Sequence, residues 1–361
     1  MNSRERILAA INHERPDKIP CDFHGTAPCN QALFARFKCN TLPELMDRLG
    51  YDMVDIRGIV DPEWIAPFPQ TRILDDGQIQ NHLGFRHRRM QTAFGEVTEH
   101  SGYIWKDAQT IADLADNDTF TFPRVEFFDF STMAARLDQF KGRAIMASGA
   151  SVFQHSTLVR GLDAALCDLY ESPEIIGHIN KLYNDFYLAF FDRLFTACKG
   201  KIDILRCADD FGTKQSLLIR PEQFRQYYKA PLVKLIGLAH SHGVKFMFHS
   251  CGAIRPLIPE LIEIGVDILD PVQPEAAGMN LAELKAEFGG KICFHGSIST
   301  QKTLPNGAPS DVRREVFERM SLFKGRGGFI LAPAHMVQPD VPIENIIALY
   351  EAAREFNSTT N

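Results

Sequence analysis

A (β/α)8 TIM barrel is the fold this sequence predicts, and three observations lead there. The chain has 361 residues, a length that suits one large α/β barrel or two ordinary domains. Short, nearly unbroken apolar runs recur along it and end in polar residues or glycine, as strands buried on both faces of a parallel sheet do. Between them lie stretches with apolar residues three and four apart, and strand–helix alternation of this kind builds a parallel barrel.

Taken in order, residues 2–14 read as an amphipathic N-terminal helical segment with Ile7, Leu8 and Ile11 on one face. The apolar runs are IPCDFHG (19–25), MVDIRG (53–58), AIMASGAS (144–151), DILRCADD (203–210), KFMFHSCG (245–252), DILDPVQP (267–274), KICFHGSI (291–298) and GFILAPAH (328–335). Helical patterns follow the fourth to seventh runs: RPEQFRQYYKAPLVKLIGLAHSHG, IRPLIPELIEIG, NLAELKAEFGG and SDVRREVFERMSLFKG. The periodicity fails between about 61 and 143. There DDGQIQNHLGFRHRRMQTAFGEVTEHSGYIW carries glycine turns and short alternating runs. This predicts a β-hairpin insertion after the second barrel strand, capping the mouth of a single barrel domain over 1–361. Asp340 with Pro342 starts a last helix, and FNSTTN (356–361) reads as a frayed tail.

Composition excludes several classes. A hydrophobic fraction of 45% and a charged fraction of 23% are those of a soluble globular protein. A net charge of -6 argues against a nucleic-acid surface. The start, MNSRERILAAINHERPDKIP, lacks an apolar core of the secretory kind, and no run of about eighteen apolar residues occurs. A cytoplasmic protein without a membrane span is expected. The eight cysteines are scattered, which suits reduced, mostly buried thiols.

In such a barrel the strand ends converge on one mouth, where chemistry sits. The ends here collect Asp22 and His24, Asp55 and Arg57, Ser148 and Ser151, Asp209 and Asp210, His249 and Cys251, Asp270 and Gln273, His295 and Ser297, and His335. Polar residues are ordinary at strand ends; so many histidines are not. Residues two apart on a strand point the same way, so His249 and Cys251 can share one metal ion. A lone His-x-Cys is more often packing than ligation, and its place at a strand end is what shifts the balance. A zinc site needs a third protein ligand. His335 is the natural one, with Asp209, Asp210 and His295 as rivals. Neighbours on a strand face opposite ways, so one of Asp209 and Asp210 enters the lumen as a proton donor or acceptor while the other caps a loop. His295 is the third candidate for proton handling, and His24, Arg57 and Gln273 are placed to touch substrate.

Five segments together resemble the uroporphyrinogen decarboxylase superfamily of (β/α)8 barrels over nearly the whole chain. They are RERILAAINHERPDKIPCDF, IDILRCADDFGTKQSLLIRPEQF, FMFHSCGAIRPLIPELIEIGVDILDPVQP, CFHGSIS and GGFILAPAHMVQPDVPIENI. The resemblance implies one of two activities. Decarboxylases of the family carry an arginine-rich segment near the N-terminus, whereas here no arginine lies between Arg15 and Arg36. The other branch comprises zinc methyltransferases that work with corrinoids, and it is similar at HSCG, where His249 and Cys251 match its ligand pair. Its later cysteine is replaced by His335 in APAH. The resemblance therefore implies a zinc-dependent methyltransferase that exchanges methyl between a small molecule, favourably an O-methyl compound, and the cobalt of a corrinoid (cobalamin). No Asp-x-His-x-x-Gly motif is present, so the corrinoid is expected on a partner protein. The alternative is a metal-independent decarboxylase or lyase; a homodimer is left open.

Overall fold

The computed structural model describes residues 1–92, 95–116 and 120–359. After strand β1 (Met53–Asp55) the chain makes its excursion: β2 (Glu63–Trp64), β3 (Thr71–Ile73), β4 (Ile79–Asn81), β5 (Arg86–Thr92), β6 (Gly95–His100) and β7 (Phe128–Asp129). Strands β3 to β6 form an antiparallel four-stranded sheet and β2 pairs antiparallel with β7, so the excursion is larger than the expected hairpin. Six further strands follow: β8 (Ala144–Ala150), β9 (Ile204–Ala208), β10 (Lys245–His249), β11 (Ile268–Val272), β12 (Cys293–Ile298) and β13 (Phe329–Pro333). With β1 they make one parallel seven-stranded sheet in chain order.

The first of the eight expected strands, 19–25, is the departure. It makes single parallel bridges, Cys21 with Leu331 and Gly25 with Val337, rather than a ladder. Asp52 N donates to Cys21 O at 2.8 Å, and Asp22 N donates to Leu331 O at 2.9 Å, so the run still touches the sheet at both edges. Pro20 has no N–H to give, which breaks the regular pairing.

The lumen is built in layers. Met53, Ala144, Met146, Ile204, Met247, Ile268, Cys293 and Ile330 form an apolar floor, closed from below by Ile7, Ala10 and Ile11 of the helix Ser3–Ile11. The intervening strand residues, among them Val54, Leu205, Phe246, Phe248 and Leu269, pack outward in the main core with the helices. Because side chains alternate along a strand, the residues two beyond the floor share its face. Six of them, Asp55, Ser148, Arg206, His249, Asp270 and His295, make a polar tier directly above the floor, with Ala332 the apolar member on β13.

The C-terminal helix runs from Ile343 to Thr359, so most of the expected tail is ordered. Asn357 clasps the backbone of Ile19, accepting from its N–H at 3.0 Å and donating to its carbonyl at 3.2 Å. Residues 360–361 lie outside the described residues. No described helix is long and apolar enough to cross a membrane.

Candidate metal centre

His249 closes β10, and Cys251 lies two residues on, in a loop held by close backbone packing. Gly252 adopts a positive φ of 88°, and a Cβ there would stand 2.5 Å from Thr213 O, so no larger residue fits. Cys251 N donates to Asp210 Oδ1 at 2.9 Å, and Gly252 N donates to Gln273 Oε1 at 2.8 Å. This fixes the thiol beside the imidazole: Cys251 Sγ lies 3.6 Å from His249 Nε2. His335 follows β13 and brings its ring centroid to 6.0 Å from that of His249. One donor atom from each of His249, Cys251 and His335 lies within 4.8 Å of the other two.

The trio fits a zinc ion. Tetrahedral bonds of about 2.3 Å to sulfur and about 2.0–2.1 Å to nitrogen place the two donors roughly 3.5 Å apart, close to the spacing of His249 and Cys251. Burial and the Arg206 guanidinium push the His249 imidazole below its ordinary pKa, so the ring is in the neutral, ligating form. Burial, then Asp210 and Asp270, push the Cys251 thiol up. A bound cation would reverse that balance and favour the thiolate.

Beneath the trio Asp270 joins three partners. Its Oδ2 accepts from Arg206 Nε at 2.8 Å and meets His249 Nδ1 at 2.7 Å, while Oδ1 meets His295 Nδ1 at 2.8 Å. Arg206 NH2 also stands 2.6 Å from His249 Nδ1. That nitrogen either donates to Asp270 or accepts from Arg206, and a metal held by the ring's other nitrogen would require the first arrangement. Carboxylate-bound imidazoles of this kind are the usual support of metal histidines. Burial raises the Asp270 carboxyl, but Arg206, His249 and His295 outweigh it and hold it well below the usual carboxylate range.

His295 is buried between Asp270 and Asp22, whose Oδ2 is 3.1 Å from its Nε2. Burial disfavours the imidazolium, yet the two carboxylates prevail and raise the pKa to about 9. An imidazolium held this way stabilises the fold fully below the unfolded value of about 6.5 and loses its contribution as pH rises through about 9. Comparing the denaturation midpoint of the protein with that of His295→Gln should give a gap that is wide at pH 6 and shrinks by pH 10. A gap that widens with pH would contradict the assignment.

The other sequence candidates separate. Asp209 is fully buried and turned away from the trio: it accepts from Ser151 Oγ at 2.6 Å and from the backbone amides of Val152, Phe153 and Gln154 at 2.8–3.1 Å. It caps the helix Gln154–Arg160. Asp209→Asn turns an amide against those donors and is expected to cost about 1–3 kcal/mol in unfolding free energy while zinc content stays unchanged. Zinc loss in that variant would mean that Asp209 belongs to the site. Asp210 is the neighbour that faces it, with Oδ1 3.7 Å from His249 Nε2. Gln273 secures the Cys251 loop. His24 approaches Asp55 at 3.9 Å and Arg57 is exposed just past β1; the cluster of metal-ligating side chains among the described residues is His249, Cys251 and His335 without His24. Arg206 was missed because it sits inside an apolar run; its register with the floor residue Ile204 is the signal that finds it.

Residues 138–356 match the family described as Uroporphyrinogen decarboxylase (URO-D). Over 155 residues, 43% of this chain and 42% of the relative, the sequence is 29% identical to a "Methylcobamide:CoM methyltransferase MtaA" of Methanosarcina barkeri. Over 138 residues, 37% of this chain and 36% of the relative, it is 25% identical to a "Uroporphyrinogen decarboxylase" of Vesicomyosocius okutanii subsp. Calyptogena okutanii (strain HA). In both, the aligned stretch spans under half of the curated relative's length. A solved structure described as a methyltransferase from Methanosarcina mazei superposes with a TM-score of 0.67 at 19% identity, covering 99% of each chain. That likeness shows the fold.

Proposed function

The chain belongs to the uroporphyrinogen decarboxylase (URO-D) family, and on that premise we propose that it is an enzyme moving a methyl group between a small molecule and the cobalt of a corrinoid carried by a partner protein. The observation that carries this reading is the clustering of His249, Cys251 and His335 at the ends of β10 and β13. The stretch shared with the methylcobamide:CoM methyltransferases supports it.

The direction favoured removes the methyl from oxygen. Two imidazoles and one thiolate leave a divalent ion with net positive charge, where a second thiolate would leave it neutral. When bound, zinc supplies Lewis acidity that turns an ether oxygen into a better leaving group. The remaining work falls to the chain. Asp270 orients the His249 ring so that Nε2 faces Cys251 and His335. Asp210 is the proton-handling group, since its carboxylate borders the trio while Asp209 is sealed by its cap and His295 is locked between two carboxylates. Gln154 Nε2 donates to Asp210 Oδ2 at 3.4 Å and holds that carboxylate in place.

Zinc-loaded protein mixed with free cob(I)alamin and a methoxybenzene should develop the absorption of methylcobalamin. Release of carbon dioxide from a carboxylated substrate by metal-free protein, with no methyl transfer, would instead support a decarboxylase or lyase.

A further inference from the structure

A second wall of the mouth holds a cavity of about 410 Å³, set between β1, β8, the antiparallel excursion and the helix Pro173–Ala197. Its size is that of a small-molecule pocket. Phe85, Phe128, Phe186, Tyr187 and Phe190 line it with flat apolar faces. Phe128 and Phe190 meet edge to face at 5.1 Å and Phe186 and Phe190 tilt at 5.6 Å, so the rings form a continuous aromatic lining.

Polar side chains share the lining, among them Gln70, Asn81, His82 and His87, and Arg57 is the one Lys or Arg among its described residues. The Arg57 guanidinium makes no hydrogen bond or ion pair with the described residues; only its backbone N–H is used, by Asp55. Its stem lies over Gly149, whose φ is 121° and whose missing Cβ would sit 3.7 Å from Arg57 Cδ. The β8 ladder slips at that glycine, between Ser148 and Ala150, and such bulges re-aim side chains beside sites. Asp61, the acid of the described lining, accepts from Gly58 N at 2.9 Å. His155 is hydrogen-bonded to Tyr187, and burial with help from Arg57 lowers its pKa to about 3, so it is a neutral partner. Ser148 belongs to both places: it lines the cavity, and its Oγ donates to Asp55 of the polar tier at 2.6 Å.

We infer that this cavity binds a planar aromatic carboxylate, its ring against the phenylalanine faces and its carboxylate paired with Arg57. An aromatic lining suits a flat ring, and a free guanidinium suits a carboxylate, which it can grip with two parallel N–H bonds. Resting on the methyl-transfer reading for its role, this ligand is the methyl-bearing substrate, an aryl ether acid.

Calorimetric titration tests the inference without turnover, on protein with and without zinc. The probes are 4-methoxybenzoate, its neutral analogue 4-methoxybenzamide, and non-aromatic 4-methoxycyclohexanecarboxylate. Methoxybenzoate should bind about tenfold or more tightly than either analogue, as one charge-assisted bond or one ring-stacking wall requires. Arg57→Gln should lower methoxybenzoate to the level of the amide. Phe190→Ala should weaken both aromatic probes and leave the cyclohexane acid unchanged. Equal binding of the three probes, or methoxybenzoate affinity unchanged by Arg57→Gln, overturns the inference. Zinc content in Arg57→Gln should equal that of the unaltered protein. Aryl acid binding with no methyl transfer would thus defeat only the proposed reaction, while methyl transfer with no aryl acid binding would defeat only this pocket.

Discussion

Replacing His249 with alanine should strip the protein of zinc and abolish methyl transfer while leaving it folded. The ring is one of two donors fixed before any ion arrives, since its Nδ1 is held at Asp270 and its Nε2 stands 3.6 Å from Cys251 Sγ. Without it the ion would rest on a thiol that burial keeps protonated and on the exposed His335. Lewis-acid stabilisation is worth several kcal/mol, so activity is expected to fall by about three orders of magnitude or more. Elemental analysis of the purified variant, beside a denaturation curve, checks both halves. His335→Cys should keep zinc, because thiolate replaces imidazole within the same reach. Retention of zinc in His249→Ala would remove His249 from the ligand set.

The second large effect is expected at Asp270. Asp270→Asn leaves Arg206 and His295 in the lumen without the carboxylate that both face, and breaking a buried ionic network in this way costs roughly 3–5 kcal/mol. It also removes the group that holds His249 with Nε2 toward Cys251, where the proposed zinc would sit, and should weaken zinc binding by about 10–100-fold. Chemical denaturation measures the first effect and competition with a chelator the second. A variant that loses stability yet binds zinc normally would show that Asp270 supports the fold but not the metal.

The sequence makes some of this legible and not the rest, for physical reasons. The alternation of apolar runs and helical patterns locates seven of the barrel strands, and the two-residue spacing flags His249 with Cys251, although β10 ends at His249 and the loop beyond it is what sets the thiol beside the imidazole. Convergence of strand ends points to His335. Arg206 is hidden because a charged residue between Leu205 and Cys207 looks like an interruption of an apolar run, until the floor of the lumen gives the strand its register. The choice between Asp209 and Asp210 could not be made by alternation, because β9 ends at Ala208 and both lie beyond it. Capping by three backbone amides settles which one turns inward. The run 19–25 reads as a strand by composition, yet Pro20 withholds the N–H a ladder needs. Asn357 joins Ile19 across 338 residues, a contact that no local pattern reveals.

Zinc X-ray absorption on the purified protein asks whether His249, Cys251 and His335 hold one zinc ion. One zinc per chain is expected, with a single sulfur at about 2.3 Å and nitrogen or oxygen neighbours at about 2.0–2.1 Å. Absence of stoichiometric zinc after reconstitution, or a shell with no sulfur or with two, would contradict it.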